Sequence, residues 1–511
     1  MGLLEGLVQG CATTRGADSF QGTMINEIRR LERQARALDP GARTRKGLLR
    51  IVAAAGERFL RRLKTAPTYD GATDGGVGLL GQPIAAKGIP ISQVMELLDA
   101  EVVGPGAATA SGFHMAYIPG GGLFHSALGD YLASVTNKYA GVFFAAPGAV
   151  RMENQLVRWA ADLVGYPDTA GGYTASGGSI GNLTAVTVAR DVHQVKGDRI
   201  ARSTVYLTDQ THHSITKALH LAGVAETAVR RIPTDDRFRM RSDALSESIA
   251  ADQAAGLIPW LIVASAGTTD TGAVDPLGAI TTVAERAACW MHVDAAYGGF
   301  FMMTDSGRRS MQGIERSDSV VLDPHKSLFL PYGSGMILVR DRKYLMQTHS
   351  FTGSYMQDTM ERADEVSPAD LSPELTRPFR ALRMWLPLMV LGTEPFRAAL
   401  EEKLLLARYF RQRVAELGFE VGPDPELSVV VYRWVPSGSN PDAANRFNRS
   451  LGKAVLDDGR LFLSSTTIDG TVWLRMAIVT HRTHLREIDI ALDVLRELAT
   501  TLDRGSGTHA R

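Results

Sequence analysis

The chain is poor in the features that mark several classes of protein. Two cysteines, Cys11 and Cys289, occur among 511 residues, which excludes a disulfide framework and favours a reducing compartment. Basic and acidic residues each number 55, so no basic excess indicates nucleic acid or an anionic membrane. No apolar run approaches the roughly 18 residues that span a bilayer, and no secretory or myristoylation signal is evident. We therefore expect a cytoplasmic protein that binds neither nucleic acid nor membrane.

The length and the distribution of apolar residues predict three segments. Residues 24–65 and 92–103 show helical spacing, but they are too poor in apolar residues to form their own core. We predict an N-terminal helical segment over 1–110 that packs on a partner subunit, a large α/β domain over 111–394, and a small α+β domain over 395–511. The last domain is indicated by a long helix after Pro395, two strand-like runs and a closing helix.

The middle of the chain alternates short apolar runs with helical segments. The strand candidates are 205–207, 260–264, 291–293, 320–322 and 336–339. Strands separated by helices predict a doubly wound, mostly parallel sheet covered on both faces. Ligands on such sheets bind beyond the carboxyl ends of the strands. Polar residues follow four of the candidate strands, namely Asp209 and His212, Thr268 and Thr269, Asp294, and Asp323 to Lys326.

Lys326 and Asp294 are the most informative pair of residues. A lysine that follows a buried strand can form a Schiff base with an aldehyde, and an aspartate that ends another strand can hold a protonated pyridine nitrogen. Pyridoxal 5'-phosphate (PLP) requires both groups from its protein. A solvated surface lysine and an aspartate that caps a helix are the alternatives.

Two further segments suit the same cofactor. The glycines of Ser176-Gly-Gly-Ser precede a helix predicted to begin near Asn182, so a phosphate is plausible at Gly178 and Ser179; a glycine-rich turn is the alternative. His212 is suited to stacking on a pyridine ring. Because adjacent histidines are expected to point apart and no third ligand is near, His212 and His213 do not indicate a metal site.

Taken in order, these segments resemble the group II PLP-dependent amino-acid decarboxylases, over about residues 116–481. The resemblance implies fold type I and a homodimer with its active site at the interface. It also implies decarboxylation of an aromatic or bulky apolar L-amino acid to the amine and carbon dioxide. That reaction passes through an internal aldimine on Lys326 and a quinonoid intermediate.

The resemblance also assigns roles to individual positions. Lys326 corresponds to the Schiff-base lysine, Asp294 to the partner of the pyridine nitrogen, and His212 to the histidine that stacks on the ring. The remaining cofactor contacts that it implies are Gly178, Ser179, Thr269, Ala296, Ser319, Asp323 and His325. Asp323 stands where aromatic decarboxylases usually carry asparagine.

Tyr355 matches the tyrosine of the family's catalytic loop, which is thought to protonate Cα after carbon dioxide leaves. Relatives with phenylalanine there tend to be aldehyde synthases, so Tyr355 favours a decarboxylase. The substrate residues implied by the resemblance are Tyr117, Ile118 and Gly120. The alternatives are an aldehyde synthase, another lyase or an aminotransferase on the same lysine, a catalytically silent scaffold, and a nicotinamide-binding protein, which the absent dinucleotide fingerprint disfavours.

Overall fold

The computed structural model describes residues 14–71, 75–350 and 365–507. They form two compact units. One comprises the described residues of Met1–Thr65 and Asp74–Gly104, and the other those of Ala66–Thr73 and Pro105–Arg511. Among the described helices, none has both the length and the apolar content that crossing a membrane requires.

The first unit is helical. It contains α1 (Thr14–Ala35), α2 (Ala42–Arg62), α3 (Val77–Leu80) and α4 (Ile91–Leu98), which continues as a π turn over Asp99–Val103. The single helix predicted over 24–65 is broken between α1 and α2, because Pro40 disfavours a helical conformation at the preceding residue. Apolar side chains of α1 and α2 are exposed, including Ile25, Ile28, Leu31 and Ile51.

The second unit carries the strands and the remaining helices. The strands are β1 (Tyr69–Asp70), β2 (Gly106–Ala107), β3 (Gly171–Ala175), β4 (Ser203–Leu207), β5 (Ala228–Arg231), β6 (Ile258–Ser265), β7 (Trp290–Asp294), β8 (Ser319–Leu322), β9 (Gly335–Val339), β10 (Glu420–Val421), β11 (Val429–Arg433), β12 (Ser464–Ile468) and β13 (Thr471–Ala477). The helices are α5 (Phe124–Thr136), α6 (Pro147–Val164), α7 (Gly178–Val192), α8 (Ser214–Leu221), α9 (Ser242–Ala254), α10 (Leu277–Ala287), α11 (Asp305–Ser310), α12 (Pro324–Ser327), α13 (Lys343–His349), α14 (Ala381–Leu391), α15 (Glu394–Glu416), α16 (Pro441–Asp458) and α17 (Leu485–Gly507).

A seven-stranded sheet forms the centre of this unit, in the order β3-β9-β8-β7-β6-β4-β5. β9 runs antiparallel to its neighbours β3 and β8, and the other pairs are parallel. Alternate residues of one strand enter different cores, as Ile262 and Leu261 of β6 do, because successive side chains of a strand point to opposite faces. The predicted mostly parallel sheet with two covered faces is confirmed.

The sheet brings the carboxyl ends of β3, β4, β6, β7 and β8 to one edge, because these five strands run in the same direction. The polar residues that follow the strands therefore share that edge. β3 was not among the strand candidates. Its pairing with β9 brings the glycines after Ala175 to the same edge.

A second, antiparallel sheet forms near the carboxyl end, in the order β10-β11-β13-β12. α15 and α16 pack on it, around a separate cluster of buried residues that includes Phe410, Tyr432 and Leu474. The strands and helices predicted after Pro395 are present. The boundary of an independent domain at that point stays a prediction, since both sheets belong to one compact unit.

Candidate active site

Polar residues from five strand ends line one cavity of about 410 Å³ at the edge of the large sheet. A volume of this size is typical of small-molecule sites. The lining includes nine of the residues selected from the sequence, namely Gly178, Ser179, His212, Thr269, Asp294, Ala296, Asp323, His325 and Lys326. The structure therefore brings together residues that lie up to 148 positions apart in the chain.

Lys326 lies on α12, the short helix that follows β8. Its Nζ is 3.0 Å from Oδ2 of Asp323, one helical turn earlier, and the Asp323 side chain is almost completely buried. The other oxygen of Asp323, Oδ1, is also buried and has no hydrogen-bond partner among the described residues. The amine is thus held at the cavity by a buried carboxylate that retains acceptor capacity.

Asp294 ends β7 and presents its carboxylate to the same cavity. Oδ1 accepts a hydrogen bond from the backbone N–H of Ala296 at 3.1 Å, and Oδ2 accepts one from Nδ2 of Asn182 at 2.9 Å. Both partners are donors, so the site is built for the ionised, acceptor-only carboxylate. Each carboxylate oxygen has a second lone pair, which leaves acceptor capacity for a cationic ring N–H.

His212 follows β4 and lines the cavity. Its Nδ1 is 2.8 Å from Oγ of Ser214 and 3.3 Å from the Ser214 backbone nitrogen. Burial lowers the pKa of His212, and the negative charge of Asp294 partly opposes that shift. The imidazole therefore favours its neutral form.

The expectation that His212 and His213 point apart is wrong. Their ring centroids lie 4.1 Å apart, with 39° between the ring planes. Within the described ranges, however, no group of three or more His, Cys, Asp or Glu side chains is arranged to hold a metal ion.

The amino terminus of α7 is the part of the cavity suited to an anion. The helix begins at Gly178, four residues before the predicted start, so Gly178 and Ser179 lie in its first turn. The first backbone N–H groups of a helix have no intrahelical acceptors and carry positive partial charge. A β carbon on Gly178 would lie 2.8 Å from Oδ2 of Asp323 and 3.1 Å from Cβ of Ala296. A larger residue at this position would displace Asp323 or Ala296.

Thr269 lies on the loop after β6, and its position depends on the second sheet. Arg475 of β13, which is 3% exposed, donates hydrogen bonds to the carbonyl oxygens of Thr269 and Asp270. The same guanidinium donates to Oγ of Ser464 at 2.7 Å. Arg475 thus joins the cavity loop to the carboxyl-terminal sheet.

His325 is the neighbour of Lys326 on α12. Its Nδ1 donates to the carbonyl oxygen of Ser334 at 2.5 Å, which leaves Nε2 as the nitrogen nearer to Asp323, 3.8 Å from Oδ2. The structure therefore orients this imidazole beside the pair formed by Asp323 and Lys326.

The structure places Ser319 away from the cavity, so its predicted contact with the cofactor is not supported. Ser319 opens β8, whereas the cavity lies at the opposite end of that strand, roughly 10 Å away at the usual strand rise. It is fully buried and is absent from the residues that line the cavity. Its hydroxyl is instead bonded to Trp290 and His292.

The candidate substrate residues also lie outside the lining of this cavity. Tyr117 is exposed, and Ile118 packs into the core. A β carbon on Gly120 would lie within 3 Å of the carbonyl oxygens of His325 and Lys326. Gly120 therefore allows the chain to approach the backbone of α12, which is a positioning function. The substrate roles of these three residues stay predictions.

Tyr355, the predicted proton donor, lies outside the described residues. Sequence reasoning also missed Asn182, Ser214, His292 and Arg475. For two of these residues, the spacing in the sequence could have indicated a place in the site. His292 precedes Asp294 by two positions on one strand, so both point to the same face. Asn182 follows Gly178 by four positions, so both lie on one side of α7.

The residues present fit PLP. The cavity combines a primary amine for an aldehyde, an ionised carboxylate for a pyridine nitrogen, a flat imidazole and a helix amino terminus for a phosphate. Gly178 allows the start of α7 to lie close to Asp323 and Ala296, both of which a β carbon would meet. These features define a PLP-dependent enzyme of fold type I.

Comparison with known proteins places the chain more narrowly. Residues 86–435 match the pyridoxal-dependent decarboxylase conserved domain. The chain belongs to the pyridoxal-dependent decarboxylase family. It is a PLP-dependent carboxy-lyase that acts on an amino acid.

Individual relatives include decarboxylases and an aldehyde synthase. An aromatic-L-amino-acid decarboxylase of Bacillus atrophaeus is 35% identical over 380 residues, which is 73% of this chain and 78% of the relative. A phenylacetaldehyde synthase of Arabidopsis thaliana is 28% identical over 81% of this chain and 86% of its own length. The crystal structure of Oryza sativa TDC with PLP and tryptamine superposes with a TM-score of 0.86 at 25% identity, covering 91% of this chain and 99% of that one.

Proposed function

We propose that the chain decarboxylates an aromatic L-amino acid to its amine, and that Lys326, Asp294 and His212 carry the reaction. The observation that supports this most strongly is the shared cavity, which is lined by all three side chains and by the amino terminus of α7. The preference for an aromatic substrate is supported by the names of the relatives, since the bacterial relative is an aromatic-L-amino-acid decarboxylase.

The protein's part of the mechanism follows from the cavity. When bound, PLP supplies an aldehyde that condenses with amines and a ring that accepts the electron pair of a broken Cα bond. Lys326 would provide the amine for attachment. The carboxylate of Asp294 would hold the proton on the ring nitrogen, and the first turn of α7 would bind the phosphate.

Asp323 and Lys326 would act together before the cofactor is attached. At 3.0 Å the carboxylate of Asp323 pairs with Nζ of Lys326, so attachment of an aldehyde to this amine requires the pair to separate. Tyr355 as the donor of a proton to Cα stays a prediction from the sequence. So do the substrate roles of Tyr117, Ile118 and Gly120.

The function is tested by supplying each proteinogenic L-amino acid to the PLP-loaded protein and measuring carbon dioxide. We expect carbon dioxide and amine in equal amounts, with aromatic amino acids giving the highest rates. Release of hydrogen peroxide and ammonia with an aldehyde would instead identify an aldehyde synthase, the activity named for one relative. No carbon dioxide from any amino acid would contradict the proposal.

We also propose that two copies of the chain associate through the exposed apolar face of α5, and the packing of residues 1–110 on a partner subunit stays a prediction. Apolar residues of α5 recur on one helical face and are exposed, namely Phe124, Leu128, Tyr131, Leu132 and Val135. An exposed apolar face of this kind marks an interaction surface. Arg383 of α14 joins it to the cavity rim, because it bonds to Asp130 of α5 at 2.7 Å and to the carbonyl of Tyr332 at 3.0 Å.

This association is tested by light scattering on the purified protein. We expect the mass of a dimer for the wild type and of a monomer for the double variant Leu132→Asp, Val135→Asp, because burying two carboxylates is strongly unfavourable. Leu405→Asp is the control, since Leu405 is similarly exposed on α15. A wild-type monomer, or a double variant that stays dimeric, would refute the interface. A cytoplasmic location stays a prediction from the cysteine content.

A further inference from the structure

A chain of buried hydrogen bonds runs beneath the cavity and ends at Asp294. It passes from Nε1 of Trp290 to Oγ of Ser319, then to His292, and from His292 to Asn182, with 2.9 Å at each step. We refer to these four residues as the buried relay. Each is 3% exposed or less, so the polar atoms depend on one another rather than on water.

The relay has a direction that is set at its charged end, where Nδ2 of Asn182 donates to Oδ2 of Asp294 and Oδ1 of Asn182 therefore faces Nε2 of His292. Trp290 donates to Ser319 at the other end, and the Ser319 hydroxyl retains its own hydrogen for Nδ1 of His292. Burial lowers the pKa of His292 to about 4, which keeps the ring neutral with one proton. That proton lies on Nε2 and is donated to Oδ1 of Asn182.

The contacts of the Asn182 amide are consistent with this direction. With Oδ1 facing His292, both amide hydrogens point the other way, to Oδ2 of Asp294 at 2.9 Å and to Oγ of Ser214 at 2.8 Å. A reversed amide would place its oxygen against the Asp294 carboxylate. That contact is acceptable only if Asp294 is protonated, because two acceptors share no hydrogen.

A second branch leads from Asn182 to His212. Ser214 accepts from Asn182, so its hydroxyl hydrogen is free for Nδ1 of His212 at 2.8 Å. The Ser214 backbone N–H, which also can only donate, points at the same nitrogen. Both contacts require Nδ1 to be an acceptor, so neutral His212 carries its proton on Nε2.

We propose that Asn182, oriented by the buried relay, is a positioning residue that keeps Asp294 an ionised acceptor and sets the proton of His212 on Nε2. The inference rests on the proposed function, in which Asp294 pairs with the protonated pyridine nitrogen. It adds that one amide controls the charge at the ring nitrogen and the tautomer of the neighbouring imidazole. The relay connects that amide to Trp290, at the far end of the strand that carries Asp294.

The test compares affinities for PLP and for its carbocyclic analogue, in which a ring C–H replaces the pyridine nitrogen. Both ligands keep the aldehyde and the phosphate, so the ratio of their dissociation constants isolates the contact with Asp294. The wild type should prefer PLP. Asn182→Leu should reduce that preference about tenfold, since Asp294 loses a charge-assisted hydrogen bond. A merely structural role would weaken both ligands equally and leave the ratio unchanged.

Trp290→Phe tests the contribution of the far end of the relay and leaves Asn182 unchanged. If Asn182→Leu does not fold, the preference of Trp290→Phe for PLP tests the inference in its place. This variant should reduce the preference by about two- to threefold, the effect of one neutral hydrogen bond. Trp260→Phe is the matched control. Trp260 is fully buried on the adjacent strand, and its indole N–H has no partner among the described residues, so the ratio should stay at the wild-type value.

The outcomes separate this inference from the proposed function. A wild type without preference for PLP would overturn the pairing of Asp294 with the ring, and the inference with it. A wild-type preference that Asn182→Leu leaves unchanged would overturn the inference alone. A reduced ratio in Asn182→Leu with an unchanged ratio in Trp290→Phe would overturn the part assigned to Trp290.

Discussion

Lys326→Ala is expected to lose carbon dioxide release by a factor on the order of 10⁴ or more, because the nucleophile that attaches the cofactor is removed. Borohydride treatment of the PLP-loaded wild type should leave a pyridoxyl group on the peptide that contains Lys326. The variant should show none by mass analysis. Lys343→Ala is the control, since that side chain is exposed and pairs with Asp341 on the surface.

The variant also leaves Asp323 buried without its cation, which is costly in itself. The double variant Lys326→Ala, Asp323→Asn removes that charge and should regain thermal stability relative to Lys326→Ala while staying inactive. Activity in either variant, or a pyridoxyl group attached at another lysine of the wild type, would show that Lys326 is not the attachment site.

Asp294→Asn is expected to reduce turnover by roughly 10²–10³, in the range seen when one preorganised electrostatic contact is removed from an active site. A neutral amide does not stabilise a positive ring nitrogen. In addition, the amide donors of Asn182 and the N–H of Ala296 would compete for the single amide oxygen that replaces two carboxylate oxygens. Turnover should be measured by carbon dioxide release at saturating PLP.

Attachment of the cofactor should survive this change, because Lys326 and the first turn of α7 are untouched. Borohydride should therefore still fix a pyridoxyl group on Lys326 of the Asp294→Asn variant. Asp252→Asn is a suitable control, since Asp252 is also buried but pairs with Arg230 and Tyr206; it should lose stability and keep turnover. Wild-type turnover in Asp294→Asn would contradict the role of the carboxylate.

Strands made of continuous apolar residues were predictable from the sequence. β6, β7, β8 and β9 each contain a run of β-branched or large apolar residues, and a strand buried on both faces has this composition. β3 was missed because Gly171-Gly-Tyr-Thr-Ala lacks such a run. It is a strand because β9 pairs with it, and a β carbon on Gly172 would overlap the carbonyl of Ile337.

The start of α7 was also not predictable from local sequence. Its glycines favour a turn when considered alone, and the predicted helix began near Asn182. In the structure the helix begins at Gly178, and its glycines allow close packing, since β carbons on Gly178 and Gly181 would lie 3.1 Å from Ala296 and 2.7 Å from Val321. Those four extra residues place the phosphate candidates in the first turn and bring Asn182 to Asp294.

The sequence by itself determined which chemical groups are available and that they follow strand ends, because apolar runs and the residues after them are local features. It therefore indicated Lys326, Asp294 and His212. Only the tertiary structure decided their partners. Asn182 and Asp294 are 112 positions apart and Arg475 lies 206 positions from Thr269, so these contacts depend on strand register and helix packing. For the same reason Ser319 contacts His292 rather than the cavity: the register sets the two residues opposite each other, and Ser319 lies at the end of β8 away from the site.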